Sequence, residues 1–354
     1  MQTTSHHIVR RYGPVGGMER YVYQLTHALV QKGQQVSVLC EKNEAVEYNP
    51  LIIVVELGNA YHKPRWRAQW GFCQRVSQYF EQNPQPESVI HSHERTAVHH
   101  VTTFHGPPFL QRKRRLLDIT SPRIRMWTQL EEQELFNEQV KAILPNAPLI
   151  ASQLRTLYPT IAHKLRSPAY PGVDVSFSRV QRRSSGLAIG FLGREWKRKG
   201  LDIACRIISQ LREQIPGVHF MVAGCDPDNI RHLFDGWPTG SYTLMGWSEP
   251  QYFFEIIDVL LHPARAEPFG MVIAEANAAG LPVVISDQCG AAALIGDEQG
   301  SICRLDSGSA NVEHWVQACR QQLYRNKVVT SLNLSWETLA EQHIDLYREL
   351  QPIY

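Results

Sequence analysis

The chain has 354 residues, 43% of them hydrophobic and 20% charged, with a net charge of +2 at pH 7. That length allows two domains of ordinary size with a core each, and the balance excludes disordered and fibrous chains. Seven cysteines, odd in number and never spaced Cys-x-x-Cys, argue against a disulfide framework or structural zinc and for a reducing cytosol.

Short apolar strands alternate with amphipathic helical stretches, the pattern of doubly wound α/β domains. His7–Val9 is expected as the first strand, followed by a Gly13–Gly17 loop. The next helix aligns Met18, Val22, Leu25 and Leu29 and ends before Gly33. Further strands are expected at Val36–Cys40, Ile52–Val55, Ser88–His91, Val101–Phe104 and Val140–Leu144. Residues 167–186, rich in chain breakers, read as a linker. The pattern restarts at Leu187–Leu192, with a helix through Leu201, Ala204, Ile207, Ile208 and Leu211. Strands follow at His219–Ala223, Tyr242–Leu244, Val259–His262 and Pro282–Ile285, and Trp336–Leu350 is a final helix. No run of eighteen apolar residues occurs and the first residues lack a signal-peptide pattern, so a cytoplasmic protein is expected.

Residues 262–287 carry the most chemistry. Glu267 and Glu275 flank Pro268-Phe269-Gly270, and an Ala-rich helix is expected from near Gly270 to Gly280. Glu267 then lies in the loop before that helix, and Glu275 more than one turn inside it. The N–H groups of Phe269, Gly270 and Met271 point out of the helix end, where unpaired donors and the helix dipole attract phosphate and sugar oxygens. Carboxylates on either side accept hydrogen bonds from hydroxyls, so the constellation suits a sugar nucleotide. An ordinary βαβ unit with two incidental glutamates is the plain alternative.

This arrangement resembles the signature of the retaining glycosyltransferases of family 4. Gly16-Gly17-Met18-Glu19-Arg20 resembles their amino-terminal Gly-Gly loop, which implies donor-diphosphate contacts at Gly16 and Gly17. Glu87–His93 and Thr103-Phe104-His105-Gly106 resemble two of their strand ends, and the second implies that His105 faces the transferred sugar. Tyr170–Asp174 resembles the interdomain motif without its Asn, and Leu334–Glu337 the start of the closing helix. Gly193-Arg194 with Lys199-Gly200 is similar to the family's pair of diphosphate cations. Lys197–Gly200, Leu261–Ala264 and Cys289-Gly290 are similar to the lipopolysaccharide-core glucosyltransferases within the family, whereas Asn277 stands where the family usually has Met.

The resemblance implies an α/β protein of GT-B fold, two Rossmann-like doubly wound domains facing a cleft. An acceptor-binding domain is expected at residues 1–168, with a carboxy-terminal helix at 340–354 packing back onto it. A nucleotide-sugar-binding domain is expected at 169–339. The implied enzyme is a hexosyltransferase that retains configuration, with UDP-glucose or UDP-N-acetylglucosamine as donor. Its acceptor is an anionic glycan or glycolipid, such as a lipopolysaccharide core. Arg194 and Lys199 would meet the diphosphate, Glu267 the sugar hydroxyls and Glu275 the ribose, with Phe269, Gly270 and Met271 assisting. An epimerase or phosphorylase on the same fold, or an inactive glycan- or lipid-binding module, are the alternatives.

No cofactor or metal is expected. His91, His93, His99, His100 and His105 cluster in sequence, but no His-Glu-x-x-His or Asp-x-Asp accompanies them, and satisfied strand-end histidines account for them. Charge is uneven: residues 1–170 carry 20 Lys and Arg against 13 Asp and Glu, and residues 171–354 carry 16 against 21. The first half is therefore expected to face something anionic. Residues 111–127 hold six basic side chains, including Arg112, Lys113, Arg114 and Arg115, against one acid, with apolar residues between them. They predict peripheral attachment to the anionic inner face of the cytoplasmic membrane, a solvated loop and helix being the plain alternative. Arg65 and Arg67, in the basic and aromatic stretch His62–Trp70, are candidates to receive a phosphorylated acceptor. Nucleic acid is not expected, since the whole chain is nearly neutral and no binding motif accompanies the run.

Overall fold

Parallel sheets are buried on both faces, so their strands ordinarily read as unbroken apolar runs. The central strand of the first sheet departs from that rule, and the departure shapes the site described below. The computed structural model describes residues 3–59, 63–111, 121–174, 187–306 and 309–350. The chain divides into two compact units, Met1–Gly172 with Ser335–Tyr354 and Val173–Leu334.

The first unit holds six parallel strands: β1 (Thr4–Ile8), β2 (Gln35–Cys40), β3 (Ile52–Glu56), β4 (Val89–Ser92), β5 (Val101–Phe104) and β6 (Ala142–Pro145). They lie in the order β3-β2-β1-β4-β5-β6. Helices α1 (Gly17–Gln31), α2 (Arg65–Gln82), α3 (Pro122–Phe136) and α4 (Pro148–Leu157) belong to this unit. Strand β1 starts at Thr4, three residues before the expected His7, because Thr4, Ser5 and His6 are polar and periodicity marks them as exposed. Pairing with β2 and β4 on its two sides nevertheless buries Ser5, His6 and His7. In the core, Val22, Leu25 and Leu29 of α1 meet Val36 and Val38 of β2, together with Leu339, Ala340, Ile344 and Tyr347 of the carboxy-terminal helix Trp336–Leu350.

The second unit repeats the plan with β7 (Leu187–Leu192), β8 (Val218–Ala223), β9 (Tyr242–Gly246), β10 (Val259–His262), β11 (Val283–Ser286) and β12 (Gly300–Cys303). Their order is β9-β8-β7-β10-β11-β12, all parallel. Helices α5 (Leu201–Gln214), α6 (Met271–Ala278) and α7 (Val312–Leu323) accompany them. Ile203, Ile207, Ile208 and Leu211 of α5 pack with Phe191, Phe220, Leu261 and Trp315. The expected linker falls mostly on residues 175–186, outside the described residues. The units divide at 172/173 and 334/335, whereas the sequence reading divides them at 168/169 and 339/340. Gly172 packs so closely on Ser335 and Trp336 that a Cβ would overlap them, and the Val173 N–H donates to the Leu334 carbonyl at 3.1 Å.

Candidate active site

In a doubly wound sheet, ligands bind beyond the carboxyl ends of the strands, where the strand order reverses. In the second unit that point lies between β7 and β10. The chain leaves β7 through Gly193 into a short helix, Trp196–Lys199, and leaves β10 through residues 263–270 to reach α6. These two loops bring the chemistry together. Lys199 Nζ lies 3.0 Å from Glu267 Oε2, Arg198 Nη1 3.3 Å and His262 Nε2 3.4 Å from the same oxygen. Gly193 makes this possible, because a Cβ there would overlap the Lys199 side chain. The Arg265 N–H donates to the Arg198 carbonyl at 2.8 Å, and its guanidinium grips Asp202 through two bonds of 2.7 and 2.6 Å. The loops are thereby braced against each other.

Glu267 is 9% exposed. Burial opposes its ionisation, but the His262 hydrogen bond and the charges of Lys199 and Arg198 outweigh burial and hold the carboxyl well below the usual carboxylate range. Burial lowers the His262 pKa, so its Nε2–H donates to the carboxylate as a neutral imidazole. The other carboxylate oxygen, Oε1, has no hydrogen-bond partner among the described residues.

Helix α6 begins at Met271, with Gly270 as its cap at φ +100°, a left-handed conformation that favours glycine. The first helical N–H groups are therefore those of Met271 and Val272. Phe269, expected among the donors, precedes the cap; its ring is buried and its carbonyl accepts from the Ala291 N–H at 2.8 Å. Val272 was missed, because only the φ at Gly270 fixes where the helix starts. Glu275 lies one turn inside α6 and is 4% exposed. Asn277, the departure from the family pattern, is fully buried and its Oδ1 accepts from the Leu332 N–H at 2.9 Å. Arg194 is exposed and forms no ion pair among the described residues. Arg198 is the arginine on Glu267; in sequence it looks like one charge of a solvated run, Lys197-Arg198-Lys199.

In the first unit, Gly16 caps α1 and Gly17 is its first residue. The Glu19 carboxylate folds back so closely that a Cβ on Gly16 would overlap it. This helix end thus carries an anion of its own, in the manner of a capping box, and a diphosphate there must compete with it. His105 follows β5, half-buried, with Nε2 3.1 Å from His93 Nδ1 and the Tyr21 ring edge-on at 4.7 Å. His91 is held at both nitrogens, by Tyr347 Oη at 2.6 Å and Thr103 Oγ1 at 2.8 Å. His99 and His100 are likewise hydrogen-bonded, to Thr96 and the Glu134 carbonyl and to the Ile90 N–H. His7 joins this cluster: His7, His91 and His93 bring ring nitrogens within 4.8 Å of one another, a spacing that could hold a metal ion. Sequence reasoning missed His7 because it sits in the polar start of β1.

Arg65 and Arg67 are exposed on the first turn of α2, with the Arg67 guanidinium over the Trp66 ring at 5.1 Å. Arg112, Lys113, Arg114 and Arg115 lie outside the described residues. Downstream on α3, Ile124, Met126 and Trp127 are half-buried, and Trp127 stacks under the Arg95 guanidinium at 5.5 Å. Among the described residues no helix is long and apolar enough to cross a membrane.

The family described as "Glycosyltransferase Family 4" matches residues 15–177, and "Glycosyl transferases group 1" matches residues 186–324. The chain belongs to glycosyltransferase family 4. This family member is 28% identical over 265 residues to the D-inositol 3-phosphate glycosyltransferase of Mycobacterium leprae, a match covering 65% of the chain and 59% of that relative. The solved structure of WaaG, a glycosyltransferase involved in lipopolysaccharide biosynthesis, matches with a TM-score of 0.77 at 18% identity, over 97% of this chain and 96% of that one. Anabaena HepE in complex with UDP-glucose matches with a TM-score of 0.66 at 14% identity, over 99% and 100% of the two chains. These two likenesses show the fold, which is GT-B.

Proposed function

We propose that the protein is a retaining hexosyltransferase that moves a hexose from a nucleoside-diphosphate sugar, UDP-glucose or UDP-N-acetylglucosamine, to a glycan or glycolipid acceptor of the lipopolysaccharide-core kind. The observation that carries this reading is the meeting of Lys199, Arg198 and Glu267 at the switch point of the second sheet, beside the N-terminus of α6. Breaking the bond between sugar and diphosphate develops negative charge on the leaving β-phosphate and positive charge on the ring. Lys199 and the exposed Arg194 meet the phosphate charge, with the N–H groups at Met271 and Val272 aimed from the helix end. Glu267 holds Lys199 through Oε2 and accepts from a sugar hydroxyl through Oε1. Glu275 accepts from the ribose, His105 lies against the hexose, and Gly16 and Gly17 reach the diphosphate once Glu19 moves aside.

On this reading the second unit binds the donor and the first unit the acceptor. The likeness to HepE, whose structure holds UDP-glucose, supports the donor, and the likeness to WaaG supports the acceptor class. Arg65 and Arg67 receive an anionic acceptor, and Arg112–Arg115 hold the protein at the inner face of the cytoplasmic membrane. Melting curves with a panel of sugar nucleotides test the donor, since ligands of the folded state raise the melting temperature. UDP-glucose or UDP-N-acetylglucosamine should stabilise the protein; no shift with any uridine diphosphate sugar overturns the assignment. Anomeric analysis of the transfer product tests retention, and epimerisation without an acceptor would favour the epimerase reading instead.

A further inference from the structure

Four side chains of the first unit stand in a hydrogen-bonded file that ends at His105. Ser5 Oγ lies 3.2 Å from His7 Nε2, His7 Nδ1 3.1 Å from His93 Nε2, and His93 Nδ1 3.1 Å from His105 Nε2. Ser5, His7 and His93 are buried, and His105 is the half-exposed end. Both ring nitrogens of His7 and of His93 are used within the file. Among the described residues nothing hydrogen-bonds to His105 Nδ1.

A neutral imidazole carries one N–H, so two imidazoles bond only when one offers a proton and the other a lone pair. That condition forces agreement along the file. His7, His93 and His105 must all carry the proton on Nδ1, with Ser5 donating to His7. Otherwise all three carry it on Nε2, with Ser5 accepting. A mixed set would set two N–H groups or two lone pairs face to face in a buried place, where an unmade hydrogen bond is costly. Burial keeps the rings neutral: it pushes His7 and His105 down to about 3, and it lowers His93 as well. Packing keeps their planes fixed. His91 stacks on His93 with centroids 4.3 Å apart, and His91 is itself clamped by Tyr347 and Thr103.

We propose that His93, backed by His7 and Ser5, is a positioning residue that fixes the tautomer of His105 and so decides whether His105 Nδ1 meets the transferred sugar as donor or as acceptor. The proposal rests on the reading that His105 lies against the sugar. A sugar hydroxyl can play either part, but a pre-set partner spares the site from selecting one at each turnover.

Long-range proton–nitrogen NMR on histidine-labelled protein reads the tautomer of each ring without substrate. His7, His93 and His105 should share one tautomer; disagreement among them overturns the proposal. His93→Phe keeps a ring on the His91 stack and removes both nitrogens. It should turn His105 into a mixture of tautomers and lower kcat roughly tenfold, with donor KM within about twofold. His93→Asn, whose amide stands near the place of Nδ1 but can turn either its oxygen or its N–H to His105 and has lost the link to His7, should restore part of kcat while leaving both His105 tautomers populated. A His93→Phe enzyme with wild-type kcat and an unchanged His105 signal overturns the role, and if that variant fails to fold, the wild-type tautomers decide alone. His105→Ala separates the two readings. Full activity there removes the sugar contact and this role with it, whereas loss of activity beside a fully active His93→Phe enzyme removes only the role of His93. One equivalent of copurified zinc or nickel, lost in His91→Ala, would make the cluster a metal site and overturn the file.

Discussion

The two sheets share one strand order, yet the ends of their strands bury polar groups in opposite ways. In the first unit a file of buried imidazoles is held neutral by burial and satisfied ring to ring. In the second, a buried carboxylate is held ionised by two cations and a neutral histidine. The first arrangement sets the direction of hydrogen bonds and carries no charge. The second concentrates charge where, on the proposed function, a diphosphate's charge would develop. One scaffold thus carries two kinds of site, and the residues at the strand ends, not the fold, decide which.

The largest effect expected from this contrast is at Lys199. Lys199→Ala should lower kcat/KM by roughly 10²–10³-fold, the range for removing a preorganised electrostatic donor. Arg198 and His262 remain on Glu267, so the protein should still fold, which a melting curve checks. Steady-state rates within about twofold of wild type would break the division of labour between the units.

Acid should separate the units next. Burial lowers the pKa values of His7 and His105 to about 3 and of His99 and His343 to about 4, and it lowers His91 and His93 too. The unfolded chain takes up these protons below about 6.5, whereas the folded unit does not until far lower pH. Their stability is present above 6.5 and is lost as pH falls from there toward 3. Glu94 and Glu134, raised to about 7 by burial, run the other way, but two carboxyls do not offset six histidines. The second unit has His262 as its lowered histidine, and Glu267, whose contribution is present above 4.5 and lost only as pH falls below it. Hydrogen exchange read by mass spectrometry at pH 5 should find the first unit opening before the second. Simultaneous opening, or the reverse order, would refute the contrast.

Most of the second unit was legible in the sequence because its strands are apolar and its charged residues sit at punctuated places. Leu187–Leu192 and Val259–His262 match β7 and β10 residue for residue, and Gly270 and Gly280 bracket α6. The first unit was less legible, because Ser5, His6 and His7 are buried through pairing partners that local periodicity does not show. Strand β12 and helices α2, α4 and α7 were not anticipated either. Arg198 was overlooked for a related reason. A run of cations reads as a solvated face until the short helix Trp196–Lys199 turns Arg198 inward beside Lys199. His343 and Tyr347 meet the histidine cluster from a helix more than 200 residues away in the chain, a proximity that no local pattern encodes.

A smaller effect is expected at Glu275, buried one turn inside α6. On the proposed function Glu275 contacts the ribose, a contact alike in ground and transition states, so Glu275→Ala should raise donor KM roughly tenfold and leave kcat within about twofold. A loss carried mainly by kcat would move Glu275 into the charge-handling group with Lys199.

The smallest effect expected is that of a chelator. On the proposed function the diphosphate's charge is met in the second unit by Lys199, Arg194 and the N–H groups at the start of α6, which leaves a divalent ion little to do. The ligand group with metal-like spacing among the described residues, His7 with His91 and His93, belongs to the first unit, and each of its rings is already hydrogen-bonded. It offers three neutral nitrogens and no carboxylate, a poor match for the hard cations that accompany phosphates, which prefer oxygen ligands. Excess EDTA should therefore change the transfer rate by less than about twofold, with no rescue by added manganese or magnesium. Abolition by chelator with recovery on manganese would mean that the cations of the second unit do not suffice. The contrast between a neutral histidine file in the first unit and a self-sufficient charged cluster in the second would then fail at its central point.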